Sequence, residues 1–308
     1  MAANVETMMY VREVPWHGLG TMVSEAPTSA EALKYAGLDW GVRQENIYSV
    51  RGSVIPGYRA NVRDSDDSVL GVVGDRYRVV QNEDAFRFTD NLIGGDVRYE
   101  TAGSLRGGRQ IWLLAKMPEK VIAGDAVEPY MCFTNTHDGS SGVKVCMTPV
   151  RVVCNNTLNV ALSTAKRSWS MRHTDSIHGK LEEAHDCLFL AQEYMDKLTG
   201  FAETAAETRI WDSEIRRILD ELFPISENAT EREKNNVKKC KDEFMICYYA
   251  PDIAKFRGTA WGAINAVSDM ISHNMPHRNT RNYAENNWSR IMDGHALMDK
   301  LTKLCMAR

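Results

Sequence analysis

Apolar and polar positions along the 308 residues follow two periods, and the change from one to the other divides the chain. After Trp40, Ile47, Ser49 and Val54 to Arg63 alternate around Arg51-Gly52 and Pro56-Gly57, as hairpin strands do. Asp64 to Ser68 is a polar turn, and Val69 to Val73 is another strand. Tyr77 to Phe86 predicts a strand running into a helix. Asn82 is the N-cap, Glu83 and Asp84 favour the first turn, and Ala85, Phe88, Leu92 and Ile93 recur at helical spacing before Gly94-Gly95. Strands follow over Val97 to Leu105, Gln110 to Met117 and Val127 to Asn135, the first two joined by Arg106-Gly-Gly-Arg109. A fourth runs from Val143 to Met147. The apolar run from Val150 could be a strand, but its continuation to Lys166 and the Thr148-Pro149 start favour a helix.

The flanks are simpler. Residues 9–20 form an extended arm ending in a turn at Gly18 and Gly20, and Pro27-Thr28-Ser29 caps a short helix that stops at Gly37. From Ser176 onward the period is helical, with an apolar stripe of Ile177, Leu181, Ala184, Leu188, Ala191, Tyr194 and Leu198. Ser226 to Lys241 is highly charged, a solvated helix or a mobile loop. Gly258 to His273 predicts an amphipathic helix and Trp288 to Leu304 the last one. No βαβ alternation occurs, so the fold class is α+β: a small antiparallel sheet flanked by helices, followed by a mostly helical C-terminal region. The expected division is an α+β core over residues 1–180 and a helical region over 181–308.

Composition narrows the classes. A hydrophobic share of 44% and a charged share of 25% belong to an ordinary globular protein, and no apolar run approaches the roughly 20 residues of a membrane span. The first residues lack the basic and apolar regions of a signal peptide. Seven cysteines, odd in number and with no CxxC, fit reduced thiols in a cytosol better than a disulfide framework or zinc finger. The net charge of −4 is unevenly spread. Residues 1–97 carry 9 Lys/Arg against 14 Asp/Glu, residues 98–180 carry 11 against 6, and residues 181–308 carry 17 against 21. An acidic chain with a basic middle can own one anion-binding surface, or its cations can simply solvate strands.

Four segments of that middle carry candidate chemistry. Arg106 and Arg109 flank two glycines at a hairpin tip, where guanidinium groups and backbone amides can approach a phosphate chain. Thr134, Asn135, His137, Asp138 and Ser140 belong to a loop of small hydrogen-bonding residues suited to cradling phosphate or closing a tight turn. Arg151 and Asn155, at helical i, i+4 spacing beside Cys154, form a polar stripe with three asparagines in five residues. Lys166, Arg167, Trp169 and Arg172 interleave cations with an aromatic ring, which suits phosphate contacts plus stacking on single-stranded nucleic acid. His137 and Asp138 have no further ligands at metal-binding spacing, so no metal and no cofactor are expected.

Pro15-Trp-His-Gly-Leu-Gly20, Tyr99-Glu-Thr-Ala-Gly-Ser-Leu105, Phe133-Thr-Asn-Thr-His-Asp-Gly-Ser140, Arg151-Val-Val-Cys-Asn-Asn-Thr-Leu158 and Gly258-Thr-Ala-Trp-Gly-Ala263 resemble a phage- and plasmid-related family catalogued as domain-of-unknown-function family 932. The resemblance spans nearly the whole chain and implies a bacteriophage, prophage or conjugative-element setting in a bacterial cytoplasm, with no activity attached. The helix–strands–helix order with basic residues in its last part is also similar to single-strand annealing proteins, which bind single-stranded DNA beside a β-sheet and assemble into rings or filaments. The expected function is therefore nucleic-acid binding in a mobile element: single-stranded DNA binding and annealing in recombination by a homo-oligomer, away from membranes. The alternatives are an interaction protein that sequesters a host defence factor or a nucleotide signal, and an enzyme acting on nucleic acid through His137, Asp138 and Cys154.

Overall fold

The computed structural model describes residues 5–11, 20–25, 27–93, 98–151, 168–174, 185–274 and 295–307. The chain forms two compact units. The first comprises residues 1–117, 130–147 and 168–191, the second residues 118–129, 148–167 and 192–308. The helical unit thus also takes in two stretches that precede residue 180.

In the first unit the strands are β1 (Val5–Val11), β2 (Thr21–Val23), β3 (Val42–Tyr48), β4 (Val54–Arg63), β5 (Val69–Gly74), β6 (Arg98–Leu105) and β7 (Gln110–Lys116). Beyond β8 (Lys120–Ile122) come β9 (Asp125–Thr136), β10 (Val143–Arg151) and β11 (Ser168–Met171). The large sheet has the order β11-β10-β9-β7-β6-β1-β2, with β8 paired to the start of β9. A second sheet holds β3-β4-β5. The arm expected over residues 9–20 begins as β1, which pairs antiparallel with β6 and parallel with β2.

Two helices cover one face of the large sheet. The first is α1 (Ser29–Tyr35), whose N-cap Thr28 and Glu31 form a reciprocal capping box. The second, α2 (Asn82–Ile93), sets Phe86 5.3 Å from Tyr99 of β6 and Phe88 5.5 Å from Phe133 of β9, centroid to centroid. Met9, Ala102, Leu113 and Phe133 are fully or almost fully buried. On the opposite face Met8, Tyr10 and Trp112 form a smaller apolar cluster around Gly103. A methyl group on Gly103 would lie 2.4 Å from the Trp112 ring, so only glycine lets that ring lie flat on the sheet.

Three local expectations differ. Residues 77–81 are not a strand. The Asn82 side chain does not cap α2 but reaches back to the Leu38 and Trp40 carbonyls, while Asp84 accepts from the Gln81 amide. And β10 stays extended through Pro149 to Arg151, so Thr148-Pro149 is not a helix start. Sheet pairing outweighs the helix-initiating value of that proline.

The second unit is mainly helical: α3 (His185–Glu207, whose residues from 192 on belong here), α4 (Asp212–Leu222), α5 (Glu231–Tyr248), a 3-10 turn over Pro251–Phe256, α6 (Ala260–Asp269), a π turn over Met270–Asn274 and α7 (Ala296–Met306). In α4, Ile215, Ile218, Leu219 and Leu222 are buried at i, i+3, i+4 and i+7, the stripe of an amphipathic helix. The charged stretch from Ser226 is ordered: Thr230 and Glu233 form a capping box that starts α5. The helix expected over 258–273 is not amphipathic. Every residue of α6 from Ala260 to Ser268 is buried, and it packs between α5 and α7. Gly262 is required there, because a Cβ would stand 2.3 Å from the Phe256 carbonyl oxygen. Among the described residues no helix is long and apolar enough to cross a membrane.

Candidate functional site: the loop end of the large sheet

Strand pairing gathers several of the sequence-selected residues at one end of the large sheet. Leu105 pairs with Gln110, and Gln110 with Thr136, so the 106–109 tip lies beside the 137–142 turn. Val143 pairs with Met171, which brings Arg172 to the same end. The His137 amide donates to the Arg109 carbonyl at 2.8 Å, locking tip and turn together. From β7 across β9 and β10 to β11 is three strand spacings, roughly 14 Å. Arg106, Arg109 and Arg172 are all exposed along that rim.

The tip has an unusual backbone. Arg106, Gly107 and Gly108 have φ of 56°, 67° and 79°, a left-handed run that lifts the arginines away from the strands. Gly108 then lies on the guanidinium of Arg63, where a Cβ would be only 2.0 Å from Nη2. Arg63 is itself fixed. It donates to both oxygens of Glu6, at 2.8 and 3.0 Å, and its Cζ stands 4.6 Å from the Trp40 ring centre. This buried cation supports the tip from below and is not offered to solvent.

Most of the 134–142 segment points inward. Asn135 and His137 are fully buried, and Thr134 and Thr136 nearly so. Asn135 donates to the Val80 carbonyl, Thr136 to the Ser141 carbonyl, and Tyr77 to the Thr136 carbonyl at 2.6 Å. Asn61 of β4 donates to the His137 carbonyl at 2.7 Å, and His137 Nε2 meets Asn82 Oδ1 at 3.0 Å. His173 stacks on Tyr77 with centroids 4.3 Å apart and hydrogen-bonds the Arg78 carbonyl through Nδ1. Burial, helped by the nearby His173 and Arg63, pushes the His137 pKa down to about 3, with Asp138 opposing. His173 is also lowered by burial, against the Arg78 carbonyl. Both rings are therefore neutral at physiological pH.

The loop's surface is short. Asp138 Oδ1 accepts the Ser140 amide at 2.9 Å, and Ser140 is exposed. Gly71 of β5 touches this turn so closely that a Cβ would be 2.5 Å from the Asp138 Cα. His137 and Asp138 thus tie the two sheets together inside one unit, Thr134 and Asn135 are buried, and only Ser140 and its neighbours could meet a ligand.

Other sequence-selected residues fall elsewhere. Arg151 ends β10, eight residues along the strand from Val143, in a stretch that belongs to the second unit. Trp169 pairs with Val145 and is half-buried, while Ser168 and Ser170 are the exposed members of β11. Trp112, the other tryptophan of this sheet, is buried and donates to Thr101 Oγ1. Cys154, Asn155, Lys166 and Arg167 lie outside the described residues. Among those described, no group of three His, Cys, Asp or Glu side chains is arranged to hold a metal ion. Sequence reasoning missed Arg63, Asn61 and Asn82; the first two sit in a strand that reads as plain alternation, and the third reads as an ordinary cap.

The family model for a domain of unknown function (DUF932) matches residues 69–292, about three-quarters of the chain. The chain belongs to this family. The DUF932 match begins at β5 and so includes the rim, the buried histidines and most of the helical unit. No curated protein and no solved structure matches the chain.

Proposed function

We propose that this DUF932 protein binds the phosphate backbone of nucleic acid, single-stranded DNA in the first place, along the rim of Arg106, Arg109 and Arg172. The observation that carries the reading is the gathering of these three exposed cations at one sheet end, on a left-handed tip braced by a buried arginine. A braced tip loses little conformational freedom on binding, and backbone contacts of this kind position a strand without reading its sequence. The resemblance of the motifs to a phage- and plasmid-related family supports a mobile-element setting. The likeness to single-strand annealing proteins supports a role in recombination by an assembled oligomer. Lys166 and Arg167 belong to the same proposal, whereas Arg151 contributes at most a separate contact.

The test is binding of a fluorescent single-stranded oligonucleotide at several salt concentrations, with duplex alongside. Replacing Arg106 and Arg109 together with Gln should lower affinity for every sequence alike. It should also reduce the log–log salt slope by roughly 0.7 per lost phosphate contact, about 1.4 in all. A double variant that binds as tightly as the parent at low salt, with unchanged slope, refutes the reading.

A further inference from the structure

The second unit contains an open cavity of about 800 Å³ that none of the sequence motifs suggested as a site. Its floor is a short antiparallel bridge. Arg209 pairs with Thr259, the Ile210 amide donates to the Gly258 carbonyl, and the Ala260 amide to the Thr208 carbonyl. Ile210 turns into the core, while Arg209, Trp211, Arg257 and Thr259 line the cavity. Gly258 takes a left-handed φ of 80° beside the bridge.

The lining has two chemistries. Trp211 is 65% exposed, the most exposed tryptophan among the described residues, and no ring or cation stacks on it there. Such a large bare indole at a cavity wall departs from the usual burial of tryptophan. Beside it stand three cations. Lys255 is bound to Asp125 at 2.5 Å, which leaves it largely neutralised. Arg257 is held over the Tyr249 ring at 4.8 Å and donates one bond to the Tyr249 carbonyl, so its other donors keep a fixed direction. Arg209 is exposed and unpaired among the described residues. Glu207 and Asp212 also line the space. They weigh against a simple anion such as sulfate, but suit the amino and imino donors of a base edge.

We propose that this cavity takes a nucleoside phosphate, its base stacked on Trp211 and its phosphate on Arg209 and Arg257. A volume of 800 Å³ is within the range of small-ligand sites, and a mixed lining of ring, cations and carboxylates matches a ligand with a flat face, an anionic end and hydrogen-bonding edges. The same chemistry can come from a free nucleotide or from one nucleotide of a single strand. This site stands on the second unit alone and does not depend on the Arg106–Arg109 rim.

The experiment uses the full chain and isothermal titration with adenosine and guanosine triphosphates, a short oligothymidylate, and inorganic phosphate. Saturable binding of a triphosphate identifies a free nucleotide as the ligand. Binding of the oligothymidylate alone identifies a strand, provided it survives Arg106→Gln/Arg109→Gln. In either case Trp211→Ala should weaken binding roughly 5- to 150-fold. Arg209→Gln/Arg257→Gln should weaken it at least about tenfold, since charge-assisted bonds to phosphate are lost. Trp211→Phe, which keeps a stacking face, should retain most of the affinity and serves as the control for folding. The proposal is overturned if no nucleotide binds, if inorganic phosphate binds as tightly as the nucleotides, or if Trp211→Ala leaves affinity unchanged.

Discussion

Replacing Asn82 by alanine should destabilise the first unit by about 3–5 kcal/mol. The Asn82 side chain is 1% exposed and makes three hydrogen bonds: Nδ2 to the carbonyls of Leu38 at 3.0 Å and Trp40 at 3.2 Å, and Oδ1 to His137 Nε2 at 3.0 Å. Each such bond contributes about 1 kcal/mol net, and a buried group left without its partner costs about 1–3 kcal/mol. His137 would be the group left in that position, because its Nδ1 already lacks a partner among the described residues. For a unit of this size each kcal/mol lowers Tm by about 2–4 °C, so a fall of about 6–20 °C is expected. Near-ultraviolet circular dichroism should follow it, since Trp40 packs edge-on against His137 at 5.5 Å. Asn82→Asp offers a sharper control. At neutral pH its carboxylate would face two carbonyls as a second acceptor, so it should be at least as harmful as alanine, with partial recovery as acid restores a donor. A loss below about 1 kcal/mol in Asn82→Ala would refute the view that this residue joins α2, the 38–40 segment and the 137 turn.

The pH dependence follows from His137. Its folded pKa, about 3, lies below the ordinary 6.5, so the unfolded chain takes up a proton that the folded one refuses. The contribution is complete above pH 6.5 and is lost as pH falls toward 3, by at most about 1.4 kcal/mol per pH unit. Between pH 6.5 and 5 the parent should lose up to about 2 kcal/mol and His137→Gln clearly less; equal slopes in urea unfolding would count against a neutral buried ring. Gly108→Ala should cost about 1–3 kcal/mol, through the clash with Arg63 and the left-handed φ of 79°, and should weaken oligonucleotide binding with it. Unchanged stability there would mean that the tip does not rest on the Arg63 guanidinium.

Strong periodicity was legible where local and tertiary forces agree. The strands at 98–105, 110–116 and 125–136 and the helix at 82–93 lie within a residue or two of their expected limits, because alternation and helical spacing each match the face that is buried. Legibility failed where a long-range partner decides. β10 continues through a proline in a strand that runs beside β9, and α6 lacks a polar face because α5 and α7 enclose it. Gly258-Thr-Ala-Trp-Gly-Ala263 stands out in the sequence for reasons of packing. Gly258 needs a positive φ, Thr259 caps α6, Trp261 fills the core and Gly262 avoids the Phe256 carbonyl. That its first two residues also border the cavity follows from the bridge to Arg209, 50 residues earlier, which no local pattern announces.

The 134–142 segment shows why residue type alone misdirects a search for chemistry. Threonine, asparagine, histidine and serine are the side chains of phosphate loops, and they are equally those that satisfy backbone groups where two sheets meet without a continuous ladder. Here the second role takes Asn135, Thr136 and His137, since the carbonyls of Val80 and Ser141 have donors only from this segment's side chains among the bonds described. A histidine held at a pKa near 3 is a poor base at neutral pH, and with Nε2 spent on Asn82 it has one ring nitrogen left, in a site closed to solvent. A nucleophile or metal would need that closure undone. Arginines at the rim face no such obstacle: they are exposed already. Anion binding at the rim therefore asks nothing of the buried network except that it hold the tip still. Variants inside the network should accordingly change binding only as far as they change stability, whereas Arg106 and Arg109 should change binding with stability intact. Measuring both quantities on Asn82→Ala and on the double arginine variant separates support from contact, and a large binding loss in a still-folded Asn82→Ala would place the ligand inside the network instead.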